Sequence, residues 1–507
     1  MAPSVGEYYA GKNVLITGAT GFVGKILVEK LLRSCPELNT IYLLLRQKKG
    51  VSSEERLREL ISNKLFNPLR AKQPDIFNKL RLVAGDILED ELGLSNDDRQ
   101  ELQRRCHVVF HSAACVRFDQ KLKDAVNLNT TGTLRVMKLA EKMENLEVLV
   151  HISTAYCRCE LDVLEEKLYP AVHKPAWIMD IVDWMDDSML DYLEPKLIAP
   201  EPNTYAYTKA ITEDMVAEYG KKFPVAIARP SIVVASLKEP IPGWVDNLNG
   251  PTGLIIGSGK GVIRTMHCEP SYLADAMPVD VVVNACILLA FATAIERPQE
   301  AKFFNVTMSG ALRCTWGEMI RLGEYWVNMY PPTMALWYPG GSIKSYWLWH
   351  QFCLVTTQLI PAYLIDMLLF LLGKKTFMVK VQERISHGLD VLQYYTTKEW
   401  HFKNTNFIAL RSKVSEADNE TFFTDVSKVD VNDFLKNYMI GAREYCCKED
   451  PSNLERARKL HNIRYYVDRV TRCILIFLLC WFLYSYVHVF TAAIEYLDVS
   501  LKNISPY

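Results

Sequence analysis

The chain has 507 residues, 49 % of them apolar, with a formal charge of −1. That length exceeds one ordinary domain, and the apolar share is enough for substantial cores. The near-neutral charge argues against a nucleic-acid scaffold, because phosphate partners select a basic excess. The 13 cysteines are scattered and form no Cys-x-x-Cys pair, so neither a spaced metal site nor a disulfide framework is expected, and reduced thiols are the default. Residues 1–12 are polar and carry no apolar signal segment.

In chain order, a short apolar strand is predicted over 12–18, followed by a glycine turn and an amphipathic helix over 25–33. Further strands are predicted at 41–45, 80–84, 107–111, 146–152 and 225–228, with helices at 126–143 and 205–221 among those between them. Strand and helix alternate for more than 200 residues, which implies right-handed crossovers and a parallel sheet covered on both faces. Beyond about residue 320 the pattern turns to long helical stretches rich in aromatics and Leu. Residues 345–365 carry no formal charge, but His350, Gln351, Thr356, Thr357, Gln358 and Pro361 make them a poor membrane span. With Asp366 interrupting the run before 367–372, a buried or interfacial helix pair is the preferred reading. Residues 473–494 contain no Asp, Glu, Lys or Arg and are long enough to cross a bilayer. Basic residues from Arg456 to Arg472 precede them, which would keep the preceding bulk cytosolic. A hydrophobic helix buried in protein is the alternative.

Thr17-Gly-Ala-Thr-Gly-Phe-Val-Gly24 closes the first strand and opens the first helix. Gly18, Gly21 and Gly24 would let the backbone approach a pyrophosphate at a helix N-terminus, the signature of a dinucleotide site. At the end of the second strand, an acid would bind the ribose hydroxyls of NAD. Here Arg46 stands with Lys48 and Lys49 behind it, suited to the 2′-phosphate of NADPH, unless this is merely a solvated basic turn. Asp86 follows strand three, where it could reach the adenine amine. Ser112-Ala113-Ala114 supplies small residues after strand four.

Hydride chemistry on a carbonyl needs a hydroxyl donor and an acid matched to neutral pH. A Tyr, with an ordinary pKa near ~10, serves if a cation one helical turn away stabilises its phenolate. Tyr-x-x-x-Lys occurs at Tyr8/Lys12, Tyr192/Lys196, Tyr205/Lys209 and Tyr394/Lys398. The first precedes strand one, Pro195 disfavours a helix in the second, and the fourth lies far from the dinucleotide unit. Tyr205/Lys209 leads into the strand ending Arg229-Pro230-Ser231. The third member is expected from His151-Ile-Ser-Thr-Ala-Tyr156, with Thr154 favoured as carbonyl donor over Ser153.

Taken together, these motifs resemble the extended short-chain dehydrogenases, and within them the alcohol-forming fatty acyl-CoA reductases. Pro242-Gly-Trp-Val-Asp-Asn247, Pro278-Val-Asp-Val281, Asp183-Trp-Met-Asp-Asp187 and Pro195-Lys-Leu-Ile198 fit that family in its order. The resemblance implies a Rossmann-type doubly wound α/β domain over 10–320, a smaller helical "male sterility" type domain over 345–450 and a transmembrane anchor at 473–494. It implies reduction of long-chain fatty acyl-CoA by NADPH to a primary alcohol through a bound aldehyde, catalysed by Thr154, Tyr205 and Lys209 without a metal. Residues 242–264, rich in Gly and Pro, would then form the substrate loop, with Lys260 and Arg264 as candidates for CoA phosphates. The cofactor would be held by Thr17, Gly18, Thr20, Gly21, Phe22, Val23, Gly24, Arg46, Asp86, Ile87, Ala113, Ala114, Pro230, Ser231 and Ile232. A peroxisomal or endoplasmic reticulum membrane is the implied location. Rival readings are an aldehyde-forming reductase, a membrane-bound sterol dehydrogenase or isomerase of the same fold, and an inactive scaffold.

Overall fold

The computed structural model describes residues 3–48 and 50–504. Lys49, one of the two lysines behind Arg46, lies outside them. Seven strands, β1 (Asn13–Thr17), β2 (Thr40–Leu45), β3 (Leu80–Ala84), β4 (Val108–His111), β5 (Val148–Ile152), β6 (Val225–Pro230) and β7 (Lys302–Val306), form one sheet. Its order is β7-β6-β5-β4-β1-β2-β3, and every neighbouring pair is parallel. The chain moves outward from β1 to β3 and then crosses back to β4, so the carboxyl ends of β1 and β4 diverge and leave a crevice for a ligand. Alternate residues serve opposite faces. Val14, Ile16, Val148 and Val150 pack beneath helix Val279–Glu296, whereas Leu15, Leu149 and Ile227 face the layer that contains Val136 and Val216. Both faces are buried, which is why the strands read as unbroken apolar runs.

Six strands lie where the sequence places them, but β7 was not anticipated. Lys302 and Asn305 break its apolar pattern. Asn305 is nevertheless fully buried, because its amide donates to the carbonyls of Leu164 and Lys403 at 3.1 and 2.7 Å. The helix expected over 126–143 opens with a π-helical turn, Asn127–Thr131, before Gly132–Ala140. Contrary to expectation, helix Asp187–Ile198 runs through Pro195. The proline sits in its last turn, where only one backbone hydrogen bond is lost.

The C-terminal helices do not stand apart from the sheet domain. Strand Ser342–Lys344 pairs with Thr265–His267, and His401–Phe402 pairs with Val163–Leu164. Helix Val431–Gly441 rests directly on the backbone of Pro242-Gly-Trp: a Cβ on Gly441 would stand 1.8 Å from the Gly243 oxygen. Trp244 is buried and stacks on Phe22 at 5.5 Å, and Lys25 pairs with Asp246. The first part of the expected substrate loop is therefore a fastening between the dinucleotide turn and the C-terminal unit.

Three helices among the described residues are long and apolar enough to cross a membrane. Val279–Glu296 is apolar all round because it is the core helix. Trp347–Leu371 is a continuous helix rather than a pair. Asp366 does not interrupt it; its carboxylate accepts the N–H groups of Phe377, Met378 and Val379 and so caps the next helix. The third lies within Leu454–Ile504, whose uncharged stretch from residue 473 has exposed apolar side chains such as Phe477 and Trp481.

Candidate active site

The β1 turn and helix α1 (Phe22–Ser34) form one end of the crevice. Gly18 has φ of +73°, and a Cβ there would lie 2.7 Å from the Ala113 nitrogen, so the turn passes under the β4 loop only as glycine. A Cβ on Gly24 would lie 2.3 Å from the Gly18 oxygen. No side chain caps α1 at Gly21, which leaves the helix start of Phe22, Val23 and Gly24 suited to an anion. Thr17 ties the two sides together: its hydroxyl accepts from the Ala113 N–H at 3.2 Å and bonds His111 Nδ1 at 2.7 Å. Ala113 and Ala114 are half-buried beside it, and Ile87 packs against Gly132.

At the β2 end, Arg46 Nη1 contacts Asp86 Oδ2 at 3.2 Å, and Asp86 also accepts the Leu88 N–H at 3.1 Å. Sequence reading missed Arg56. This side chain reaches back from helix Ser53–Ser62 and donates to the Arg46 carbonyl at 2.6 Å and the Thr20 hydroxyl at 2.7 Å. Burial and the neighbouring Arg46 charge lower its pKa. Two guanidinium groups thus share the place where the sequence offered one. The only linear signal was a basic residue in the helix after β2.

At the other end, Asn203 caps helix α2 (Thr204–Tyr219) by accepting the Ala206 N–H at 2.9 Å. This sets Tyr205 and Lys209 one turn apart on the crevice side. Thr154, just past β5, is the side chain whose hydrogen bonding counters the rise in the Tyr205 pKa, and its hydroxyl accepts the Tyr156 N–H at 3.2 Å. The Ser153 hydroxyl is buried without a partner. Pro230 ends β6 and Ser231 and Ile232 follow it, with the Pro230 carbonyl accepting the Ala155 N–H at 2.9 Å.

The electrostatics differ from expectation. Burial raises the Tyr205 pKa, opposed by Thr154, while Lys209 is not among the groups that act on it. The Lys209 ammonium instead donates to the Ile152 carbonyl at 2.7 Å. Burial lowers the Lys209 pKa to about 8, and the Glu213 carboxylate opposes that shift. Keeping this ammonium charged costs folding stability in full below about pH 8. Between about 8 and the ordinary 10.5 the unfolded chain holds more protons than the folded one, so stability rises with pH. The stability of a Lys209→Met variant relative to the parent should therefore fall from pH 8 to pH 10 in thermal-shift measurements. A relative stability of the variant that rises over that range would contradict the shift.

Several neighbours had no sequence signal. His111 and His151 face each other at 5.4 Å beneath Lys209, and burial, with Lys209 second, lowers the pKa of both, His111 to about 3. Both imidazoles are therefore neutral. Asn129 in the π-turn donates to the Cys115 carbonyl and to Thr208 on α2 at 3.1 and 3.0 Å. Phe118 lies 5.6 Å from the Tyr205 ring and 5.4 Å from Tyr395, whose hydroxyl accepts from Asn203 at 2.9 Å. The Tyr394/Lys398 pair, distant along the chain, is adjacent in space. Tyr394, Lys398 and Trp400 all donate to the Cys159 carbonyl, at 3.2, 2.7 and 3.2 Å, and so clamp the loop that follows Thr154. The Tyr192/Lys196 pair is on the outer surface.

Arg264 is not free for CoA phosphates: it is largely buried and pairs with Asp468 at 3.4 Å. With Gly340 it forms part of the wall of an apolar cavity of about 150 Å³, lined also by Ile255, Met319, Val327 and Met439. Among the described residues no group of three or more His, Cys, Asp or Glu could hold a metal ion.

Two family models, each described as "Male sterility protein", match residues 16–286 and 357–449. Fatty acyl-CoA reductase 1 of Mus musculus is 41 % identical over 470 residues, 91 % of this chain and 90 % of that one. Fatty acyl-CoA reductase 2 of Bos taurus is 36 % identical over 94 % of this chain and 92 % of its own. Among solved structures, the reductase domain of a nonribosomal peptide synthetase from Mycobacterium tuberculosis superposes with a TM-score of 0.56 at 18 % identity, covering 87 % of this chain and 92 % of that domain. That likeness shows the fold. The identity to curated relatives over nearly the whole length shows the family: this chain belongs to the fatty acyl-CoA reductases.

Proposed function

We propose that the protein reduces a long-chain fatty acyl-CoA to the primary alcohol, with NADPH as donor, through an aldehyde that stays bound. The observation that carries this is the meeting of Thr154 with Tyr205 over buried Lys209, in the crevice that also holds the glycine turn. The family's printed activity fits an acyl substrate. The crevice fits a dinucleotide, because the glycines leave room for phosphates at the start of α1 and two guanidinium groups flank the β2 end. A 2′-phosphate would lie between Arg46 and Arg56, a stronger donor set than one arginine alone.

When bound, the reduced nicotinamide supplies hydride. The chain's own residues manage the oxygen. The Thr154 and Tyr205 hydroxyls hold the thioester carbonyl and the oxyanion that develops on it, in a site where hydrogen bonds are not diluted by water. Collapse expels the CoA thiolate. In the second round Tyr205 donates its proton to the alkoxide of the former aldehyde and regains one from solvent, while Lys209, held by the Ile152 carbonyl, would bind the nicotinamide ribose. The neutral His111 and His151 leave Lys209 as the cation of this layer. We place the units at 10–320, 345–450 and 473–494, the last as an anchor in a peroxisomal or endoplasmic reticulum membrane with the reductase in the cytosol. The run of basic residues up to Arg472 and the family's implied location support this.

Gas chromatography after incubation with palmitoyl-CoA tests the reading. Hexadecanol is expected, with two NADPH consumed per CoA released; hexadecanal alone, or turnover of a 3-hydroxysteroid instead, would replace it. An Arg46→Ala, Arg56→Ala double variant should lose about a hundredfold in kcat/KM for NADPH and little for NADH, since two charge-assisted hydrogen bonds are removed. An equal loss with both donors would move the 2′-phosphate elsewhere.

A further inference from the structure

Helix Trp347–Leu371 has two unlike sides. One is fixed to the protein: His350 bonds Thr265 at 3.0 Å, Gln358 accepts the Arg264 N–H, and Asp366 caps the helix that follows. Gln358 and His350 are only 2 % and 3 % exposed. The opposite side presents Trp347 and Trp349 at its start and Leu364, Leu368, Phe370 and Leu371 at its end. Leu348 and Phe370 are 76 % and 74 % exposed, an apolar surface far beyond the scattered residues of an ordinary exterior. Lys374 and Lys375 follow directly and are exposed, as cations suited to a headgroup layer.

Arg264 joins this helix to the C-terminal one. Its N–H meets Gln358 and its guanidinium meets Asp468, which also contacts Arg472 at 2.7 Å and receives the Trp337 indole N–H at 2.6 Å. Arg472 is the last charged residue before the uncharged stretch of 473–494. The first turns of the long helix are held as well, by Ala457, His461 and Asp468 buried on one face and Arg464 donating to the Thr333 carbonyl. The anchor therefore leaves the body rigidly, and the apolar side of Trp347–Leu371 starts from the same cluster.

We propose that helix Trp347–Leu371 is a second membrane contact, lying along the bilayer interface with its apolar side in the acyl-chain region and never crossing. Crossing would strip His350, Gln358 and Asp366 from their partners, several kcal-scale hydrogen bonds at once. An interfacial helix needs only its outer side in lipid, to a depth of about 5–10 Å. The partner is the bilayer because the surface is continuous with the anchor, ends in lysines and carries tryptophans at its margin. The reductase is then held against the membrane, and Arg264, in the wall of the apolar cavity, links the two lipid-facing helices through Gln358 and Asp468. This rests on the reading of 473–494 as an anchor.

The test uses the full chain in vesicles of phosphatidylcholine and phosphatidylserine, with the photoreactive p-benzoylphenylalanine replacing either Leu368 or Leu478. After irradiation, mass spectrometry should find lipid adducts at both positions. Each yield should be at least about tenfold above that from irradiation before vesicles are added, since an apolar residue in an interfacial helix is held against acyl chains. Adducts at Leu478 but not at Leu368 would overturn the proposal and spare the anchor. Adducts at neither would overturn the anchor reading and the proposal with it. A protein dimer cross-linked through Leu368 would show that a second copy, not lipid, covers this side.

Discussion

A Tyr205→Phe variant is expected to keep the fold and lose about 10²–10⁴-fold in kcat, the range for removing a positioned proton donor. The ring would stay, so its contact with Phe118 would remain, and the only group lost would be the hydroxyl that meets Thr154. That contact is worth about 1 kcal/mol to stability, so the melting temperature should shift little. A Thr154→Ala change should act on the same oxyanion, and the double variant should lose far less than the product of the two single losses, because both donors serve one oxygen. Single-turnover reduction of palmitoyl-CoA, with circular dichroism for fold, reads this directly. Full activity in Tyr205→Phe would remove the mechanism while leaving the architecture intact.

The largest expected loss of stability is at Arg229→Met, about 3–5 kcal/mol, the cost of breaking a buried ion pair from one side. Arg229 is fully buried at the end of β6 and donates to both Glu213 oxygens, the shortest contact 2.6 Å, and to the Glu165 and Lys167 carbonyls at 3.0 Å. Its guanidinium also lies 4.7 Å from the Phe303 ring of β7. A methionine would fill the space but leave Glu213 charged, dry and alone. The harm comes from the orphaned partner, so adding Glu213→Leu should recover a good part of it. Thermal melts of the single and double variants measure this. A single variant as stable as the parent, or a double variant worse than the single, would show that the pair does not hold β6 to α2. Because Glu213 is also the carboxylate that supports the charge of Lys209, the double variant should regain stability without regaining full activity.

The sequence exposed whatever is encoded locally. The glycine turn was legible because close backbone approach permits one residue type at Gly18 and Gly24, and Tyr205/Lys209 because helical spacing places two residues on one side. What stayed hidden depends on contacts between distant segments. Arg56 reaches the β2 end from a helix whose outer face looks like any other. The Tyr394/Lys398 pair looked remote because sequence separation was read as spatial separation. Arg264 looked like a free phosphate ligand because its partner, Asp468, lies 204 residues further on. β7 escaped because Asn305 satisfies its amide on Leu164 and Lys403, segments far from it in sequence on either side. The helix at 347–371 was read as interfacial or buried from its mixed composition, and only the arrangement of polar residues along one side shows how it can be both docked and bare.

The Cys159 carbonyl, which takes three donors from the C-terminal unit, limits how this family can be recombined. Backbone that begins just after Thr154 is gripped by side chains encoded more than two hundred residues later, so the two regions behave as a matched lock rather than interchangeable cassettes. A chimera that imported a foreign tail to change chain-length preference would also import a new grip on the chemistry, and specificity and rate would move together.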